Sequence, residues 1–137
     1  MHSVSVDSSG LRWRRLWWTL GVLLLLVISV LSLMPLDGPV LDLPSSDKLL
    51  HAIAYVVLTL YFGQLAGPRG AGLARVVAGL LAYGIAIELL QSISPPRGAE
   101  LGDLVANLCG MALGALLLRT PLGALLGAVE RVVERGR

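Results

Sequence analysis

Charge is scarce in this chain. Only 15% of its 137 residues are Asp, Glu, Lys or Arg, against about 25% in an average soluble domain. Hydrophobic residues make up 55% of the chain and the mean hydropathy is +0.78. They fall in runs too long for a soluble core of this size to hide, so the expected solvent is a bilayer. Cysteine is almost missing. The single one, Cys109, excludes an internal disulfide and any Cys-based zinc site, and within its apolar run it reads as a small packing residue. A basic groove interleaved with aromatics is absent and the net charge is only +2, which argues against a nucleic-acid partner. Internal repeats, low-complexity tracts and a separate soluble domain are likewise absent.

A secretory signal lacks its deciding element. Arg12, Arg14 and Arg15 precede an apolar run, but that run is longer than a usual signal core. No small-x-small cleavage site follows before Pro35, so an uncleaved anchor is expected.

What is present is a set of four apolar runs of about 20 residues each. They extend over Leu16–Met34, Asp47–Ala66, Leu73–Ile93 and Leu101–Leu118. The linkers carry turn chemistry: Pro35-Leu36-Asp37-Gly38-Pro39, Gly67-Pro68-Arg69-Gly70 and Ser94-Pro95-Pro96-Arg97-Gly98. The expected fold is all-α, an integral membrane four-helix bundle. Residues 1–15 form an N-terminal tail, 16–119 the membrane domain and 120–137 an amphipathic tail. In that tail Leu122, Leu125, Leu126, Val129 and Val133 recur at helical spacing, with Glu130, Arg131, Glu134 and Arg135 between them. Pro121 suits a first helical position, so the tail reads as a short surface helix. The plainer alternative is a straight extension of the fourth span.

Orientation follows from the basic residues, which favour the cytoplasmic side. Four spans place Arg12, Arg14, Arg15, Arg69, Arg75, Arg119, Arg131, Arg135 and Arg137 on one side and only Lys48 and Arg97 on the other. Both termini are therefore expected in the cytoplasm, with Trp13, Trp17 and Trp18 as interfacial anchors.

Three polar clusters interrupt the apolar runs: Asp47-Lys48-x-x-His51-x-x-x-Tyr55, then Glu88-x-x-Gln91, then Arg97 with Asp103-x-x-x-Asn107-x-x-Gly110-x-x-x-Gly114. An ionisable side chain within a membrane segment costs about 2.5–3.5 kcal/mol on insertion scales. The topology brings the start of the second span, the end of the third and the start of the fourth to one membrane face. Asp47, His51 and Tyr55 share a helix face, as do Glu88 and Gln91, and the fourth span presents Asp103, Asn107, Gly110 and Gly114 as one stripe. At about 1.5 Å per residue, His51 and Asn107 lie roughly 6 Å inside their helix starts and Glu88 about 10 Å before Pro95. The three sets meet at similar depth. Gly110 and Gly114, and again Gly63 and Gly67, form small-x-x-x-small patterns that admit a neighbouring helix and equally suit self-association into a homo-oligomer.

Plainer roles compete for each residue. Ser45, Ser46 and Asp47 can cap the second helix, and Glu100 and Asp103 the fourth. Lys48 can reach to the interface, and Tyr55, Gln91 and Asn107 can tie helices together. Glu88, between Ile87 and Leu89, needs a partner, with Arg97 or His51 as the candidates.

The ordered set Asp47, Lys48, His51, Tyr55, Glu88, Gln91, Arg97, Asp103, Asn107, Gly110 and Gly114 resembles the VanZ-like membrane proteins. The resemblance covers about Pro44 to Leu118. It implies a small multi-pass protein of the bacterial cytoplasmic membrane, in a family named for a member linked to glycopeptide (teicoplanin) resistance. It implies a fold and a residue set, not a reaction.

Two functional readings follow. In the first, an outward-facing pocket binds or acts on a cell-envelope lipid or cell-wall precursor. Lys48 and Arg97 hold an anionic headgroup, and His51 is the general acid or base, its proton directed by Asp47, Glu88 or Asp103. Tyr55, Gln91 and Asn107 complete the ligand contacts. The catalytic candidates are thus His51, Glu88 and Asp103, and the ligand-binding ones Asp47, Lys48, Tyr55, Gln91, Arg97 and Asn107. In the second reading the protein is a non-enzymatic accessory or scaffold whose polar residues only hold the helices together. No cofactor is expected, and no motif demands a metal. Ion-coupled transport is disfavoured, because the inner halves of spans two to four carry no acidic residue.

Overall fold

A computed structural model describes residues 10–34, 46–93 and 100–136, with the side chains of Ser46 and Asp47 excepted. Asp47 as a side chain, and Arg97 altogether, lie outside the described residues. Among the described residues the chain is all-helical: α1 (Arg14–Leu33), α2 (Ser46–Ala66), α3 (Gly70–Ser92), α4 (Leu101–Leu117), a 3₁₀ turn (Pro121–Ala124) and α5 (Leu125–Arg135). The first four coincide with the four apolar runs to within a turn, as expected where punctuating Gly and Pro residues set helix ends. Gly67 (φ 112°) follows α2 and Gly70 (φ 60°) opens α3. A side chain at either position would strain the backbone. Gly67 donates its N–H to the Gly63 carbonyl at 3.1 Å, so it terminates α2 and does not act as the second half of a packing motif.

By length and composition α1, Lys48–Ala66 of α2 and α3 can each cross a membrane, and α4 with the following segment adds a fourth candidate span. The chain bends by 78° between Leu101–Leu117 and Pro121–Arg135. The tail is therefore a separate helix and not a continuation of α4. The Thr120 hydroxyl accepts the Leu122 N–H at the bend, with Pro121 at the first position of the turn.

Side-chain contacts fix the relative directions. Trp17 and Trp18 of α1 meet Tyr61 and Phe62 of α2, while Ser29 and Ser32 meet Tyr83 and Gln91 of α3. Along α2, Lys48, His51, Tyr55, Thr59 and Gly63 meet Gly102, Asn107, Gly110, Gly114 and Leu118 in the same order. Hence α1 and α3 run one way and α2 and α4 the other. The α2–α4 contact is the most intimate, and its cause is compositional. A Cβ on Gly110 would collide with the Ala52 carbonyl oxygen, and one on Gly114 would lie 2.9 Å from the Val56 oxygen and 2.7 Å from Thr59 Cβ. Only glycines permit this backbone-to-backbone approach.

The core comprises Tyr55, Leu58, Phe62, Leu65, Val76, Leu80, Met111 and Leu126. By contrast α1 leaves Val22, Leu23, Leu26, Val27, Val30 and Leu31 more than half exposed. Such a continuous apolar face has no place in water.

Candidate functional site

The helix directions bring the start of α2, the end of α3 and the start of α4 to one end of the molecule. There His51, Glu88 and Asp103 each offer a ligand atom, and these atoms lie within 4.8 Å of one another. The three residues come from three helices.

His51 is held from behind. Its Nδ1 lies 3.1 Å from Asn107 Oδ1, and Asn107 is only 1% exposed. A carbonyl oxygen can only accept, so Nδ1 carries the hydrogen and Nε2 of the neutral ring keeps its lone pair. Nε2 is 3.8 Å from Asp103 Oδ2, within ion-pair reach but beyond hydrogen-bond length. Close packing fixes the amide: a Cβ on Gly84 would sit 3.1 Å from Asn107 Nδ2 and 2.7 Å from the Tyr55 hydroxyl. Gly84 is thus a site-shaping residue, hidden in the sequence because a lone glycine within an apolar helix announces nothing.

Glu88 is 8% exposed. Its Oε2 accepts the Glu100 backbone N–H at 3.2 Å, which ties the end of α3 to the start of α4. Its Oε1, Asp103 Oδ1, the Tyr55 hydroxyl and Thr59 Oγ1 are buried with no hydrogen-bond partner among the described residues. Uncompensated burial of such groups costs about 1–3 kcal/mol each. The Glu88 and Asp103 oxygens belong to the triad, whereas Thr59 lies two turns further along α2, against Gly114.

Lys48 covers the open side. Its ammonium lies 2.7 Å from Glu100 Oε2 and 3.8 Å from Asp103 Oδ1. The Lys48 hydrogen bond and charge hold the exposed Glu100 carboxyl below its usual range. Glu100 precedes α4 but makes no side-chain cap, so it is a lysine partner and not the capping residue its position suggests. Gln91 turns away from the triad and donates to the Ser32 carbonyl of α1 at 2.8 Å.

An apolar cleft of about 360 Å³ between α1, α2 and α3 reaches the triad at His51. Ile28, Leu31, Leu50, Ile53, Val57 and Ile87 line it, and His51, Tyr55, Tyr83 and Ser32 supply its polar atoms. That volume lies within the range of about 300–1,000 Å³ typical of small-ligand sites. His51 therefore borders the acidic pair on one side and an apolar slot on the other.

The opposite end contains a polar network that the sequence did not reveal. Glu130 of α5 is 6% exposed and accepts the backbone N–H groups of Arg12 (2.9 Å) and Trp13 (2.8 Å) and the Trp17 indole N–H (2.8 Å). Burial pushes its carboxyl up, but the three donors and the nearby Arg12 charge outweigh that and leave it below its usual range. Gln64 Oε1 accepts the Leu126 N–H at 3.0 Å, a cap for α5 supplied by α2. Amphipathic spacing had put Glu130 on the solvated face of the tail.

Comparison of the chain with protein-family models, with curated proteins and with solved structures returns no match.

Proposed function

We propose that this is a four-span, VanZ-like protein of the bacterial cytoplasmic membrane that binds, and acts on, an amphiphile bearing an anionic headgroup: a cell-envelope lipid or a lipid-linked cell-wall precursor. Both termini face the cytoplasm, as the distribution of arginine favours, and the His51 end opens to the outer leaflet. The apolar cleft takes the hydrocarbon portion. Lys48, with Arg97, attracts the headgroup. His51, its tautomer set by Asn107, transfers the proton through Nε2, while Glu88 and Asp103 balance its charge.

The observation that carries this reading is the position of His51, where a buried acidic pair meets an apolar slot of ligand size. A residue serving only to join helices would not need the slot. Native mass spectrometry of gently extracted protein tests it. Wild type should retain a phospholipid or polyprenyl phosphate, and Ile53→Trp, which fills the cleft from a half-exposed position, should lose it while remaining folded. Wild-type protein that emerges free of lipid under mild extraction would overturn the reading.

The scaffold reading has its own support. Gln91 and Gln64 are committed to backbone groups of other helices, as residues that only join helices would be. Under it, His51→Ala, Glu88→Gln and Asn107→Ala change stability alone, in proportion to the hydrogen bonds removed, and leave lipid retention untouched.

A further inference from the structure

We propose that His51, Glu88 and Asp103 form a binding site for one divalent first-row metal ion of the Zn²⁺ or Mn²⁺ type. The inference concerns the same triad as the proposed function and alters one role in it: a His51 whose Nε2 holds the ion is a ligand and does not transfer the proton through that nitrogen. It needs only the three side chains and no lipid.

Four observations support it. First, one donor atom from each residue lies within 4.8 Å of the others, and the His51 Nε2 to Asp103 Oδ2 distance is already 3.8 Å. Around an ion with bonds of about 2.1 Å, neighbouring donors stand roughly 3.0–3.5 Å apart. A contraction of up to roughly 1.3–1.8 Å closes the triad, within reach of side-chain torsions. Second, Glu88 is more than nine-tenths buried and its Oε1 has no hydrogen-bond partner among the described residues; Asp103 Oδ1 also lacks a hydrogen bond there, with the Lys48 ammonium 3.8 Å away. A cation satisfies buried carboxylate oxygens that no N–H reaches. Third, Asn107 holds Nδ1 of His51. In metal sites the far nitrogen of a ligating histidine is commonly engaged in this way, which orients the ring and leaves its partner nitrogen for the ion. Fourth, among the described residues the positive charge near the two carboxylates comes from Lys48, which also faces Glu100.

The donor set points to the ion. One imidazole with two carboxylates is too hard for copper(I) and too rich in nitrogen for Mg²⁺ or Ca²⁺, which leaves Zn²⁺, Mn²⁺ or Fe²⁺. Three protein ligands would leave a coordination position for an exogenous group, and one of the three, His51, also lines the apolar cleft. When bound there, the ion supplies a Lewis-acid position for a headgroup oxygen. No short motif signals such a site, because each of its ligands comes from a different helix.

The test uses tag-free, chelator-treated protein in detergent. After incubation with ZnCl₂ and desalting, elemental analysis should find about one equivalent per chain. His51→Ala and Asp103→Asn should each abolish it, whereas Ala substitution of the chain's other histidine, His2, should not. Asn107→Ala should weaken affinity about 10- to 100-fold, the usual effect of removing a ligand's supporting partner. His51→Cys in a Cys109→Ala background, loaded with Co²⁺, should gain a thiolate-to-cobalt absorption band that Asp103→Asn in the same background weakens, which a merely unfolded chain would not show. Less than a tenth of an equivalent in wild type, undiminished binding in His51→Ala and Asp103→Asn, or no thiolate band in His51→Cys would each overturn the inference. Lipid retention by metal-free protein separates the two readings: if lipid stays and metal never binds, only the metal site falls; if metal binds and lipid is absent, only the amphiphile reading does.

Discussion

Two glutamates at opposite ends of this molecule are buried to the same degree, Glu130 at 6% and Glu88 at 8% exposure, yet their surroundings differ. Glu130 accepts three N–H groups between 2.8 and 2.9 Å and thereby fastens α5 to the start of α1. Glu88 accepts one, at 3.2 Å, and leaves its other oxygen buried without a donor among the described residues. A satisfied buried carboxylate is a structural joint. An unsatisfied one beside a histidine and a second carboxylate carries a cost in stability that calls for an explanation; the proposed binding site supplies one. Burial alone does not distinguish a latch from a site; the count of donors does.

That contrast can be broken by mutation. The largest effect is expected for Glu130→Ala, which strands three donors at once. Hydrogen bonds to charged groups contribute about 1.5–3 kcal/mol each but do not add fully, so a loss of about 3 kcal/mol is expected in detergent unfolding monitored by tryptophan fluorescence. Glu88→Gln should change stability by less than about 1 kcal/mol, since it removes an uncompensated charge along with one weak hydrogen bond. If Glu88→Gln proved the more damaging of the two, the distinction between latch and site would collapse.

Next comes Gly110→Ala. Its new Cβ meets the Ala52 carbonyl, so α4 must move away from α2, at a cost of about 1–3 kcal/mol. Because Asn107 shares that face, the His51 contact should loosen with it, visible as a changed His51 imidazole NMR signal. Gly79→Ala, where an added Cβ meets nothing within 4 Å, is the control and should be neutral or slightly stabilising.

Acid should separate the two ends further. The Glu130 carboxyl is held below its usual range in the folded protein. Its contribution is therefore present above the unfolded pKa, about 4.3, and is lost as pH falls through the lower folded value. Wild type should lose stability on acidification below about pH 4.3, and Glu130→Gln should show a shallower dependence over that window. Equal slopes for both proteins would remove Glu130 from the account. The smallest effect is expected for Lys48→Ala. Its pair with Glu100 is solvent-exposed on both sides, so the change in stability should stay within about 1 kcal/mol and shrink with added salt.

The extent of the helices was legible from composition. Leu/Val/Ala runs bounded by Gly and Pro give α1 to α4 nearly residue for residue, because helix length in such a chain follows where apolar character starts and stops. The close α2–α4 approach was also legible, through Gly110 and Gly114. Convergence of His51, Glu88 and Asp103 could be anticipated too, since successive long helices connected by short linkers send these helix ends to one end of the molecule.

Side-chain direction was not legible. Glu130 sits at amphipathic spacing on what a helical wheel marks as the wet face, and only the 78° bend after α4 turns that face onto the N–H groups of Arg12, Trp13 and Trp17. Gln91, grouped with the site by its spacing from Glu88, instead reaches the Ser32 carbonyl because α1 packs beside α3 at that level. Hydrophobic periodicity determines where this chain forms helices, because transfer of each apolar residue is a local quantity. Which polar atoms find partners and which stay unpaired depends on what a neighbouring helix brings to within 3 Å, and that was decided only when the helices packed.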